Sequence, residues 1–114
     1  MVQKAKPAAG MHLKVISPDR LLYEGMIDSL VVKTEDGYEG FLRGRAPCCK
    51  LLAAQGNIRF RGILRADGAA EPDAVRADED GFLRALTRGG FLYMMNGDVI
   101  VYADEVRWQD TKGE

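Results

Sequence analysis

The clearest structural signal in the chain is the segment FLYMMNGDVIVYA, residues 91–103. Two runs rich in aromatic and β-branched residues flank the pair Asn96-Gly97. Such a pair between β-favouring runs is typical of a type I′ turn, which needs positive φ at both central positions. The segment therefore predicts a β-hairpin.

Both faces of this predicted hairpin are apolar. Side chains alternate along a strand, so Phe91, Tyr93 and Met95 share one face and Leu92 and Met94 take the other. A sandwich strand needs only one apolar face for its core. The second face indicates either a covering layer of the same chain or an interface with another protein. The side chains expected at such an interface are Leu92, Met94, Ile100 and Tyr102.

Short β-favouring runs also precede the hairpin, and Gly, Pro and Asn signals separate them. Their expected positions are residues 12–16, 21–24, 26–33, 38–42, 50–54, 58–64 and 82–86. No amphipathic helical pattern accompanies them. Many short strands between turn signals predict an all-β sandwich or barrel-like fold.

Length and charge narrow the possible classes of protein. The chain has 114 residues, 16 Lys and Arg, and 17 Asp and Glu, with a formal net charge of −1. This size predicts one domain, and the balanced charge argues against a general nucleic-acid or membrane-surface binder. No apolar run is long enough for a transmembrane helix, and the start lacks the apolar region of a signal peptide.

The expected organisation has three parts. Residues 1–10 form a flexible lead, residues 11–104 form the β-sandwich domain, and residues 105–114 form a polar tail. Residues 65–80 contain Gly, Pro, alanines and an acidic run, which predicts a solvated surface insertion.

An enzymatic function finds little support in the sequence. The adjacent Cys48 and Cys49 are too close for an ordinary disulfide, and nothing in the spacing brings them to the single histidine, His12. Carboxylates such as Glu35 and Asp36 lie in predicted turns, where they favour solubility over general acid catalysis. We therefore expect no catalytic, metal-binding or cofactor-binding residues.

Several blocks, taken in order, resemble the N-terminal β-sandwich domain of the epsilon subunit of rotary F-type ATP synthases. The matching blocks are HLKVISPD at 12–19, EG at 24–25, DSLVV at 28–32, EDG at 35–37, GFL at 40–42, RGRAP at 43–47, GGF at 89–91 and VIVYAD at 99–104. Each block is weak alone, but their order and spacing hold over residues 11–104, apart from one insertion.

The resemblance implies a flattened two-sheet sandwich, or pseudo-barrel, of about ten short antiparallel strands. It also implies a non-catalytic rotor subunit in the central stalk, which couples the gamma subunit to the membrane-embedded c ring during ion-driven ATP synthesis. The implied location is the bacterial cytoplasm, peripheral on the inner face of the membrane. No cofactor, nucleotide, nucleic acid or direct membrane insertion is expected.

The resemblance also assigns two interfaces by position. The turn of Glu35, Asp36, Gly37, Tyr38 and Glu39 matches the family loop that faces the c ring. The gamma side is assigned to Ser17, Arg43 and Arg45. Because the two arginines replace the family's Pro and His, we expect an acidic partner surface there.

Three departures from the family pattern keep an alternative open. Only residues 105–114 follow the last block, so the family's C-terminal helical hairpin and its regulation are expected to be absent. Residues 65–80 are longer than the usual hairpin, and Cys48-Cys49-Lys50 replaces an apolar run. The alternative is a free-standing β-sandwich protein-binding module derived from this scaffold.

Overall fold

The fold of the computed structural model is all-β within the residues that it describes, namely 10–42, 46–62 and 81–109. These residues form nine strands: β1 (Met11–Ser17), β2 (Arg20–Thr34), β3 (Gly37–Phe41), β4 (Cys48–Leu51), β5 (Gly56–Gly62), β6 (Phe82–Arg88), β7 (Phe91–Met95), β8 (Asp98–Tyr102) and β9 (Glu105–Gln109). This confirms the predicted all-β class.

The long strand β2 joins two layers. The strands follow the order β4-β7-β8-β1-β2-β5-β6-β9, and β3 also pairs with β2. The first part of β2 pairs with β1 and the second part with β3 and β5, with a register shift between Ile27 and Ser29. A β-bulge bends its strand and increases the local twist. The sheet can therefore fold back on itself as a sandwich.

Contacts on both sides hold the two layers together. On one side, the Tyr23 ring lies 4.6 Å from that of Phe60 and 6.3 Å from that of Trp108, measured between centroids. On the other side, Lys50 Nζ of β4 lies 3.6 Å from Glu39 Oε2 of β3. The sandwich is thus connected by aromatic packing at one margin and by an ion pair at the other.

The predicted hairpin is present. Asn96 and Gly97 have φ of 53° and 87°, as a type I′ turn requires, and Met95 pairs with Asp98. One feature of the strand pairing differs from the prediction. Strand β8 also pairs with β1 in parallel, so not every pair in the sandwich is antiparallel.

The core is a single cluster built from alternate positions of both layers. Its largest fully buried side chains include Phe41 and Phe60. Each large apolar side chain removed from water contributes about 1.5–3 kcal/mol, so the core is the main source of stability.

Two expectations about the elements need correction, and two others fall mostly or wholly outside the described residues. The predicted runs 21–24 and 26–33 form one 15-residue strand, because Gly25 continues the ladder opposite Leu13. The predicted polar tail starts with strand β9, which pairs with β6 and buries Val106. The sandwich therefore extends to Gln109. Residues 1–9 of the predicted lead 1–10, the insertion 65–80 and residues 110–114 lie outside the described residues.

Candidate interaction surfaces

An apolar surface covers the outside of the first layer, and we call it the aromatic face. Its central row crosses five strands through directly paired residues. The row consists of Leu51, Phe91, Tyr102, Ile16 and Leu21. Tyr93 and Ile100, which pair with each other, and Met95 complete the face. Exposed apolar residues are here contiguous, an arrangement that marks interaction sites more often than scattered single residues do.

The aromatic face is both exposed and ordered by its own contacts. Leu51 and Leu21 are 61% and 52% exposed, and Phe91, Tyr93 and Met95 are about 40% exposed. The rings of Phe91 and Tyr102 stack with centroids 5.6 Å apart. Large rings already held by neighbours lose little conformational freedom when a partner covers them, which makes them effective binding groups.

Two of the four interface residues predicted in the hairpin need correction, and the other two stay a prediction. Leu92 and Met94 are fully buried in the core, whereas Ile100 and Tyr102 lie on the aromatic face. The two-residue turn places Leu92 opposite Val101 and Tyr93 opposite Ile100. Opposite residues share a face, so the predicted set had combined side chains from the two sides of the hairpin.

The turn that was assigned to the c ring joins β2 to β3. The Thr34 hydroxyl orders it by accepting a hydrogen bond from Asp36 N (3.0 Å) and donating one to Gly37 O (2.9 Å). Glu35 and Asp36 are exposed, and Tyr38 is 62% exposed. Three side chains of the predicted group therefore project from one end of the sandwich.

Glu39 does not join that exposed group. It follows Tyr38 in β3 and so points to the opposite side of the strand, where it forms the ion pair with Lys50. Tyr38 instead accepts a hydrogen bond from Asn57 Nδ2 at 3.3 Å. The acidic part of this surface is therefore supplied by Glu35 and Asp36.

Ser17, which was assigned to the gamma side, is engaged within its own turn. Its side chain is only 7% exposed, and its hydroxyl donates to Asp19 Oδ1 at 2.7 Å. This hydrogen bond is the main reason that the pKa of Asp19 lies below its ordinary value. Arg20, next in the chain, donates to Val106 O at 3.0 Å. The other two gamma-side residues, Arg43 and Arg45, lie outside the described residues.

The groups considered for catalysis lie on separate strands, the two cysteines on β4 and His12 on β1. Cys48 packs against the core and Cys49 is exposed, as expected for neighbours in a strand, and both are free thiols. His12 Nε2 lies 3.1 Å from Glu24 Oε2 on the surface. No group of three or more potential metal-ligating side chains occurs among these residues. Nor does this part of the chain include a helix with the length and apolar character to cross a bilayer.

A second surface, which sequence reasoning missed, covers the outside of the second layer. We call it the arginine face, and it consists of Lys33, Arg59, Arg61, Phe82, Arg84 and Arg107. These residues occupy outward positions on β2, β5, β6 and β9. The signal in the sequence was the alternation of arginine with buried residues in IRFR (58–61) and LRAL (83–86). These arginines form one surface only because β5 and β6 are paired.

Comparison with known proteins identifies the fold. The family model "ATP synthase, Delta/Epsilon chain, beta-sandwich domain" matches residues 10–109. A Leptospira interrogans protein named ATP synthase epsilon chain is 43% identical over 95 residues, which are 82% of this chain and 61% of that protein. A Ruminococcus albus protein of the same name is 33% identical over 80 residues, or 69% of this chain and 59% of that protein.

Solved structures show the same fold. A chain in the Euglena gracilis mitochondrial ATP synthase structure (OSCP/F1/c-ring) superposes with a TM-score of 0.67 at 16% identity, covering 95% of this chain and 59% of that chain. A chain in the Tetrahymena thermophila central stalk/c-ring structure gives 0.58 at 17% identity, covering 90% and 68%. The protein spans about three fifths of the two curated relatives described above. It belongs to the family of ATP synthase delta/epsilon chain β-sandwich domains.

Proposed function

We propose that this chain is a non-catalytic subunit of the central stalk of an F-type ATP synthase, where it couples the gamma subunit to the c ring. Its relatives are named ATP synthase epsilon chains. The observation that carries the proposal is the aromatic face, an exposed apolar surface on a member of this family. In this assembly the chain is peripheral on the inner face of a bacterial membrane and needs no cofactor.

A rotor component of this kind has to transmit torque without bending. The continuous hydrogen-bonded sheet, joined at one margin by aromatic packing and at the other by the Lys50–Glu39 pair, resists shear between its layers. Cores packed at crystal-like density have low compressibility and transmit strain. These properties suit a coupling element and provide no chemistry of their own.

The gamma subunit is proposed to cover the aromatic face. Burial of the exposed parts of Phe91, Tyr93, Met95 and Leu51 supplies a hydrophobic contribution, and the rings provide the anchors. Arg43 and Arg45 are proposed to add contacts with carboxylates of the same partner, because arginine pairs with carboxylates bidentately. Ser17 is proposed to support its turn beside this surface rather than to contact the partner directly.

The c ring is proposed to meet the β2–β3 turn through Glu35, Asp36 and Tyr38. The turn is rigidified by the Thr34 hydroxyl, so its exposed groups hold a defined position. Exposed carboxylates at such a tip suit polar, basic loops of a partner. Glu39 contributes by fixing the edge of the sandwich behind the turn.

Two exposed tyrosines allow a matched test. Tyr93 lies on the aromatic face and Tyr38 at the turn, and neither is buried. In a pull-down with a bacterial gamma subunit, Tyr93→Glu is expected to weaken retention at least about tenfold, because it places a charge in an apolar interface. Tyr38→Glu is expected to retain the gamma subunit and to weaken association with the c ring.

The outcomes separate the proposals. Equal gamma retention by Tyr93→Glu and the unmodified chain contradicts the assignment of the aromatic face. If the unmodified chain fails to bind the gamma subunit, the free-standing binding module becomes the better interpretation. Unchanged gamma affinity in Arg45→Glu removes the proposed carboxylate contact of that loop.

A further inference from the structure

Strand β9 has a backbone partner on one side only within the described residues. It pairs with β6 of the second layer and stands last in the strand order. Its other side lies against β1 and β2 of the first layer, and no strand pairing joins them in the described part of the chain. Side-chain contacts therefore close this junction, which we call the seam.

A hydrogen bond crosses the seam from one layer to the other. Arg20, at the start of β2, donates through Nη2 to the carbonyl oxygen of Val106 in β9, at 3.0 Å. A charged donor makes a stronger hydrogen bond than a neutral one. The turn that precedes Arg20 is ordered by the Ser17 hydroxyl, which donates to Asp19 Oδ1 at 2.7 Å. The guanidinium is thus presented to β9 from an ordered turn.

An aromatic contact also crosses the seam. The Trp108 ring of β9 lies edge-on to the Tyr23 ring of the first layer, with centroids 6.3 Å apart, and 6.1 Å from the Phe60 ring of the second layer. Such ring pairs stabilise beyond the area that they bury. Val106 and Trp108 are the residues of β9 that pack into the core, so this strand contributes only a small part of it.

The two layers diverge at the end of the seam. A cleft of about 920 Å³ opens there, with Asp19 and Arg20 on one side and Glu105 and Val106 on the other. Arg20 therefore connects the two walls of an open cleft rather than of a packed interior. Regions with few buried apolar contacts and exposed hydrogen bonds open at a lower free energy than the core does.

We propose that β9 is a strap that opens and closes the seam independently of the rest of the sandwich, and that Arg20 is its latch. In the closed state Arg20 holds the Val106 carbonyl, and Trp108 packs against Tyr23 and Phe60. In the open state both contacts are broken and β9 is released, while the other strands keep their pairing. The hydrogen bond is made only in the closed state, so it shifts the population towards that state.

The first test uses the complete chain and its own fluorescence. Trp108 is the single tryptophan of the sequence, so its emission follows the strap, whereas far-UV circular dichroism follows the whole sheet. In a denaturant titration we expect the fluorescence midpoint to lie at a lower concentration than the circular dichroism midpoint, because the open state is populated before global unfolding. Coincident midpoints would overturn the proposal, since β9 would then unfold only with the rest of the sheet.

Matched variants test the latch by amide hydrogen exchange. Arg20→Met removes the donor and is expected to speed exchange of the slowest amides of β9 at least about fivefold, while amides of β5 change less than about twofold. Arg88→Met is the control. It removes an exposed ion pair to Glu105 of the same strand, with Nε and Oε1 3.7 Å apart, and should change exchange in β9 less than about twofold.

A conservative variant separates the hydrogen bond from packing. Arg20→Lys keeps a charged donor on a long side chain, so exchange in β9 should return most of the way to the rate of the unmodified chain. Arg20 is exposed, and far-UV circular dichroism checks that each variant is folded.

Two exchange results would overturn the latch. One is equal acceleration of β9 by Arg20→Met and Arg88→Met, which indicates a general effect of charge near this strand. The other is equal acceleration of β5 and β9 in Arg20→Met, which indicates a loss of global stability instead of a local opening. Both experiments use this chain alone, so their results are independent of the proposed function.

Discussion

The two outer faces of this sandwich differ more than its two layers do. Inward positions in both layers hold the same kinds of apolar side chain and form one core. Outward positions hold Phe91, Tyr93 and Met95 in the first layer, but Arg59, Arg61 and Arg84 in the second. A single scaffold thus presents one outer surface rich in apolar side chains and one rich in arginine.

This difference separates two contributions to recognition. Apolar contact is not directional and responds weakly to salt, and the aromatic face offers this kind of contact. Charged contact is screened by salt and disfavours partners of like charge, and the arginine face offers this kind of contact. We therefore expect added salt to weaken contacts at the arginine face more than contacts at the aromatic face. The substitutions below test the structural difference between the two faces.

The substitution with the largest expected effect destabilises the whole fold, and with it both outer faces. Gly90 links β6 of the second layer to β7 of the first, with a φ of 94°, and an added Cβ would overlap the carbonyl oxygen of Tyr102. Gly90→Ala is expected to destabilise the fold by more than about 4 kcal/mol, because both the φ and the backbone contact are incompatible with a side chain. Denaturant unfolding measures the loss.

A second glycine supplies the control. Gly40 lies within β3 with ordinary φ, and among the described residues the atom nearest to an added Cβ would be Leu30 O, at 3.9 Å. Gly40→Ala is expected to change stability by less than about 1 kcal/mol. Similar losses at the two glycines would show that the link between the layers has no special constraint.

Adjacent residues of β7 test the division between core and face. Leu92 is fully buried, whereas Tyr93 is 39% exposed. Leu92→Ala is expected to cost about 2–5 kcal/mol because it leaves a cavity, and Tyr93→Ala about 1 kcal/mol or less. Thermal unfolding compares the two. Equal costs would contradict the assignment of Tyr93 to an open surface.

An apolar dye tests whether the aromatic face is open in the isolated chain. We expect the chain to enhance fluorescence of the dye ANS, and Phe91→Ser combined with Tyr93→Ser to lower this signal by about half. Tyr38→Ser, a change at an exposed tyrosine at the β2–β3 turn, is the control and should have little effect. If the chain does not enhance ANS fluorescence, the aromatic face is covered in the isolated chain.

The smallest effect concerns the β1–β2 turn at the end of the sandwich. The Ser17 hydroxyl holds the pKa of Asp19 below its ordinary value. Because the folded-state pKa is depressed, this contribution is present above the unfolded pKa and is lost as pH falls through the folded pKa. Ser17→Ala should raise the Asp19 pKa, which NMR titration measures. The stability of this variant should then fall less as the pH is lowered. An unchanged pKa in the variant would contradict the assigned cause.

Local chemistry predicted the elements well where a turn residue dictates backbone geometry. Asn96-Gly97 predicted both the hairpin and its turn type, because few other pairs accept two positive φ values. The same reasoning missed β9, whose alternation of Val106 and Trp108 with polar residues is too short to stand out. It also divided β2 at Gly25, because a glycine within a strand is indistinguishable in sequence from a break.

The surfaces were harder to predict than the strands. The pattern showed that both sides of the hairpin are apolar, but the side that faces the core depends on which strands pair across it. Leu92 and Met94 became core residues because the first layer folds over the second. The arginines became a face because β5, β6 and β9 align them, across gaps in sequence that no local pattern spans.

The amino-acid order alone was sufficient for the all-β class, the Asn96-Gly97 turn and the excess of apolar residues in the final hairpin, since these depend on backbone preferences and on alternation over a few residues. Tertiary pairing settled which residues point outward and which charges lie together. A one-residue change of register reverses every side chain in a strand, so burial is a property of the assembled sheet and not of any strand by itself.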